Sequence, residues 1–287
     1  MSVHCARNCH GDDSRTQQQG TASGGVLTKS RLTTTLTNVP EETMRRLTDE
    51  AYADLKAQFQ AAGVATMDDA TVQAAAASAG RFDNNAEITR IGPTVTIGAG
   101  VKKSYAAFGA AAAPGIKGVH SPVSTNGVGV GMGFMALNSK VTPLARELKT
   151  VVILPSLVLD FGQTSAAGGR DFLNRETANV SNKLNFGINA QSQVAMVSSN
   201  GRAATPGMMR LPPKDLTVAT PFATVATGEG AVRALSVATV VDSNYIKQDT
   251  SRGDAVIVDL PVWEGLVRQA YKDYNAAIVA EFKKAQK

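Results

Sequence analysis

From Met44 onward apolar residues return at steps of three and four. Met44, Leu47, Ala51, Leu55, Phe59 and Ala62 trace a single stripe on a helix. Thr37 or Asn38 can cap this helix, Pro40 suits its first position, and Glu41 and Glu42 complement its N-terminal dipole. Gly63 ends it as a left-handed cap. Val64 to Met67 reads as a short strand, and Asp68 as the cap of a second, alanine-rich helix reaching about Ser78. The helical spacing returns at the other end of the chain. Behind Pro261, the residues Trp263, Leu266, Val267, Ala270, Tyr271, Tyr274, Ala277, Ile278 and Phe282 line one wide face. Glu264, Arg268, Lys272, Asp273, Lys283 and Lys284 fall on the opposite one.

The middle of the chain has strand character. Ile88 to Ile97 alternates enough for one or two strands, and Val151 to Phe161 reads as a buried strand with a bulge at Pro155. Ala178 to Ile188, Gln193 to Ser198, Leu216 to Val225 and Val232 to Val241 follow, with a turn at Ser199-Asn200-Gly201. Such short spacings favour antiparallel pairing, because parallel strands need long crossovers. Two amphipathic helices need a surface to bury against. The expected fold is therefore α+β, a largely antiparallel sheet packed by an N-terminal and a C-terminal amphipathic helix. Residues 1–37, with Gln17, Gln18, Gln19, Gly20 and a threonine-rich stretch, read as a flexible tail. Residues 38–287 read as a single domain with an insertion rich in small residues at about 91–135.

Charge narrows the range of partners. Charged residues are 18% of the 287, against about 25% in typical domains, so the surface relies on Ser, Thr, Asn and Gln. The net charge of +5 is scattered, with doublets only at Arg45-Arg46, Lys102-Lys103 and Lys283-Lys284, and aromatics are only 5%. A nucleic-acid surface clusters its cations and interleaves aromatics, so no nucleic-acid partner is expected. No apolar run is long enough for a transmembrane helix, which leaves peripheral membrane association open. Residues 1–25 contain no apolar signal core. The location expected is the periplasm or the outer membrane if the true start lies upstream, and the cytoplasm otherwise.

The motifs that suggest chemistry each have a plainer account. Gly127, Gly129, Gly131 and Gly133 alternate up to Phe134, so the third glycine of a dinucleotide fingerprint would fall on Met132, and no P-loop follows. Alternate glycines leave one bare face on an extended segment, which suits close contact with another surface. His4, Cys5, Cys9 and His10 offer four metal-binding atoms, at a spacing that matches no standard zinc motif. His120 is the only other histidine, and neither Gly-x-Ser-x-Gly nor Ser-x-x-Lys occurs. Asp160 closes an apolar strand, where partial desolvation would suit an acid catalyst, with Asp171 or Glu176 as the second carboxylate. The plainer account of Asp160 is a strand-end residue holding backbone amides. Arg252-Gly253-Asp254 reads as a turn before the strand Ala255 to Val258.

The order of helix, short strand and buried strand ending Val158-Leu-Asp-Phe-Gly-Gln-Thr164 resembles the curli-secretion lipoprotein family. There an apolar strand ends in Asp-Phe and enters a polar loop with Thr and Gly. The closing Val258-Asp-Leu-Pro-Val-Trp263 and its helix resemble the ends of uncharacterised secreted bacterial proteins. The likeness covers residues 40–67, 150–190 and the last helix. It implies a periplasmic α/β protein, without enzymatic activity, that assembles into a ring or serves envelope export. No pair of membrane-spanning hairpin strands is legible in the sequence, although 93–101 or 126–134 could be imagined as such. The expected function is thus a non-enzymatic cell-envelope assembly or binding protein, with no cofactor. It would associate with itself or with other envelope proteins through the small-residue region. The alternative is a hydrolase using Asp160 with Asp171 or Glu176.

Overall fold

A computed structural model describes residues 2–14, 26–79, 82–84, 90–91, 95–97, 101–116, 139, 141–170, 176–190, 192–199, 203–210, 212–216, 221–227, 231–240 and 243–285. The chain opens with two strands, β1 (Ser2–Ser14) and β2 (Val26–Thr37), paired antiparallel from Asn8↔Thr35 to Ser14↔Lys29. Composition suggested a tail here, and the structure differs. The threonine run is β-branched and suits a pleated surface, and neighbouring strands supply the pairing that the segment could not supply for itself. Thr34 and Leu36 are buried in the core.

Helix α1 (Glu41–Ala61) follows, and its buried residues include Met44, Leu47, Ala51, Leu55 and Phe59 from the expected stripe. Its N-cap is Pro40, with no side-chain cap hydrogen bond. Thr37 and Asn38 are engaged elsewhere: their side chains donate to the carbonyls of Val256 (3.1 Å) and Val258 (3.2 Å). Gly63 is left-handed, at φ +78°. Residues 64–68 are not a strand but an extended connection into α2 (Asp69–Ala79). Asp68 caps α2 as expected, accepting from the amides of Ala70 (3.2 Å) and Thr71 (2.9 Å).

Short strands come next: β3 (Phe82–Asn84), β4 (Arg90–Ile91), β5 (Val95–Ile97), β6 (Val101–Gly109) and β7 (Pro114–Ile116). A short helix, α3, covers 141–147, and Leu144 packs with Ala75 and Ala76 of α2. Two long strands follow, β8 (Val152–Arg170) and β9 (Glu176–Ile188), and then β10 (Gln193–Val197), β11 (Ala203–Arg210) and β12 (Lys214–Leu216). The last strands are β13 (Ala223–Thr227), β14 (Ala231–Val240) and β15 (Ser243–Val258), ahead of helix α4 (Leu260–Ala285).

Thirteen strands form one sheet whose main order is β11-β10-β8-β1-β2-β15-β13. The fold is α+β: most pairs are antiparallel, and an N-terminal and a C-terminal amphipathic helix pack on the sheet. Two pairings are parallel, β1 with β8 and β2 with β15. The ladder runs straight through Pro155, and the register shift falls at Asp160/Gly162 instead. Pro155 lies one residue before β1 begins to pair at Ser156, so its missing N–H has no ladder partner to disappoint on that side. Arg252-Gly253-Asp254 is not a turn but lies inside β15, with Gly253 opposite Thr33 and Asp254 opposite Thr34.

The main core sits between the two long helices and the sheet. Trp263, Tyr274 and Ile278 of α4 and Leu47 of α1 pack with Leu157, Leu159, Phe161, Phe186, Val256 and Val258. Phe186 meets Trp263 edge-on at 6.3 Å and Phe222 at 5.7 Å. Large aromatics with interlocking edges account for much of such a core.

Candidate functional site

The register fixes a direction for the molecule. β1 runs beside β8 and turns back as β2, β5 turns back as β6, β8 as β9, and β14 as β15. β2 parallels β15, so every one of these hairpins turns at the same end of the sheet. The opposite end feeds the helices, since β2 leads to α1 and β15 to α4. The main core takes in Phe161 on β8, Leu184 on β9 and Val256 on β15. The ladders of β8 with β9 and of β14 with β15 run to Arg170↔Glu176 and to Val240↔Ser243.

The foot of the β8–β9 hairpin is built to hold this projection. β9 and β10 flank the same side of β8, and the gap between them is bridged by Asn189 and Ser192. The Asn189 amide donates to the Val158 carbonyl at 2.8 Å, and the Ser192 hydroxyl accepts from the Val158 N–H at 2.9 Å. The Asn189 side-chain amide donates to the Asp160 carboxylate. Gly187 stands opposite Asp160, and a Cβ there would lie 2.7 Å from the Lys214 carbonyl, so β12 can approach only a glycine.

This arrangement gives Asp160 a structural partner. In the register, Glu176 faces Arg170 rather than Asp160. The stretch from position 160 to 170 is on the order of 30 Å at a rise of about 3.3 Å per residue, so the hairpin does not bring these two carboxylates together. Asp171 lies outside the described residues, as do His120, Gly127, Gly129, Gly131, Gly133 and Phe134. His4, Cys5, Cys9 and His10 fall within β1. Cys5 pairs with Leu159 and Cys9 with Thr34, so the strand sets the two halves of the cluster on the order of 13 Å apart. A single tetrahedral ion, with ligand bonds of about 2.3 Å, does not span that distance. Among the described residues no group of three or more His, Cys, Asp or Glu is placed to hold a metal ion.

Sequence reasoning missed the charge ring between the first and last helices. Glu50 accepts from Arg46 (2.6 Å) and Arg268 (2.9 Å), and Glu264 accepts from the same two guanidinium groups (2.6 and 2.9 Å). The Arg268 hydrogen bond holds the Glu50 carboxyl below the usual range, and Arg46 does the same for Glu264. Glu50 and Glu264 in turn raise Arg268. The i,i+4 spacings were visible in the sequence, but the cross-helix contacts depend on how α1 lies against α4.

A second missed feature is Tyr274. Its buried hydroxyl accepts from the Ser156 N–H (3.1 Å) and donates to the Gln193 carbonyl (2.6 Å), tying α4 to β8 and β10. Burial pushes the phenol well above its ordinary range. Tyr52 is also raised, by burial and by its hydrogen bond to Asp69, which Lys56 shares at 2.8 Å.

These elements define an α+β protein in which two long helices pack on a largely antiparallel sheet. No family model matches the chain, and neither a curated protein nor a solved structure matches it significantly. No helix among the described residues is long and apolar enough to cross a membrane.

Proposed function

We propose that the chain is a non-enzymatic cell-envelope assembly protein that joins copies of itself along the free edges of its sheet and sets its hairpins into a membrane. The observation that carries this reading is that four hairpins, β1–β2, β5–β6, β8–β9 and β14–β15, turn at one end of the sheet, with β10–β11 turning at the other. The arms 162–170 with 176–184, and 231–240 with 243–251, are continuous ladders. Each is close to the roughly 9–11 residues that a tilted strand needs to cross an apolar layer.

The register supports the same reading. Inside the arms, the pairs Ala166↔Val180, Gly168↔Ala178, Leu235↔Gln248 and Val237↔Ile246 are uncharged, and they alternate with the pairs that contain Lys183, Lys247 and Asp249. A sheet between an apolar and a wet side has this two-residue period. Arg170↔Glu176 lies in the same series as Ala166↔Val180 and Gly168↔Ala178 and puts charge only at the last pair of the ladder. The resemblance of 158–164 to the curli-secretion lipoprotein family points the same way.

The edges suggest how copies meet. β13 and β14 lie end to end along one flank of β15, and no described strand pairs with their outer side. Neither contains proline, and Val225 of β13 is 43% exposed. Arg233, at the register shift of β14, is the one charged residue of the two strands, and natural proteins blunt a long edge with such features or cover it. Above its pairing with β12, β9 forms the opposite flank and runs away from the tips, while β14 runs towards them. A second copy set alongside in the same orientation therefore meets the first antiparallel, as in a closing head-to-tail assembly.

Val237→Asp and Ile246→Asp test this reading by placing charge in the uncharged series. Each is expected to abolish co-flotation with phospholipid vesicles and to reduce the assembly seen by mass photometry in detergent to monomer. Lys247→Gln is expected to leave both unchanged, and far-UV circular dichroism should be the same for all three. A chain that stays monomeric and does not float with vesicles, in the natural form as in the variants, overturns the proposal.

A further inference from the structure

We draw no further inference here: the strongest candidate, the exposed sheet edge of β13 at Val225, belongs to the assembly surface already described, and nothing in the structure shows a different occupant for it.

Discussion

At Gly187 the packing is set by a missing side chain. The Lys214 carbonyl approaches to 2.7 Å from where a Cβ would stand. Gly187→Ala should therefore displace β12 and cost about 1–3 kcal/mol in urea unfolding, in the range of other overpacked sites. Tyr274 works in the opposite sense, by supplying atoms. Tyr274→Phe leaves the buried Ser156 N–H and Gln193 carbonyl without this partner, and a loss of about 1–3 kcal/mol is expected by the same measurement. If Tyr274→Phe unfolds at the same urea concentration as the natural chain, the hydroxyl is not holding α4 to the sheet. Neither residue could be singled out from the sequence. Gly187 is one of 26 glycines, and Tyr274 one of nine residues on a plainly amphipathic face. What distinguishes them is a backbone atom more than twenty residues away along the chain.

At the scale of elements, α1 and α4 are held by an apolar seam and by the ring of Arg46, Glu50, Glu264 and Arg268. Phe59 and Phe282 meet edge-on at 5.3 Å towards the C-terminal ends of both helices, and the ring joins them towards their N-terminal ends. Both carboxyls ionise more readily folded than unfolded. Their stabilisation is therefore complete above the unfolded glutamate pKa of about 4.3 and is lost as the pH falls through the lower folded values. The pairs are partly exposed, so each is expected to contribute about 0.5 kcal/mol. Glu50→Gln with Glu264→Gln should flatten the acid side of a thermal-stability profile below about pH 4.3 and leave its alkaline side in place. An unchanged acid side would remove the ring from the account. The helices themselves were legible, because a period of 3.6 residues is local and Met44 to Phe59 or Trp263 to Ile278 carry it without help. The strand Val64 to Met67 was not formed, since no neighbouring strand is offered to it.

At the scale of the whole molecule, the β8–β9 ladder runs from Leu159↔Ile188 out to Arg170↔Glu176. Replacing 164–182 with an Asn-Gly turn between Gln163 and Lys183 should preserve a cooperative thermal transition of the base and remove self-association. Loss of that transition would mean that the arm is part of the folding unit. Asp160→Asn, at the foot of the same hairpin, weakens a charge-assisted bond from Asn189. It should lower stability by about 1–2 kcal/mol, and Asn189→Ala should do the same.

The sequence by itself determined the two long helices, their buried faces, Gly63 as a left-handed stop, the Asp68 cap and most of the strand positions. All of these depend on spacing and on neighbours a few residues away. Tertiary structure alone decided that residues 2–14 and 26–37 join the sheet, that Gly253 and Asp254 lie in a strand rather than a turn, and that β2 runs parallel to β15. It also decided that β1–β2, β5–β6, β8–β9 and β14–β15 turn at one end while β10–β11 turns at the other. The reason is physical: a strand is completed by hydrogen bonds to another part of the chain, so its local composition does not report whether that partner exists or which way it runs.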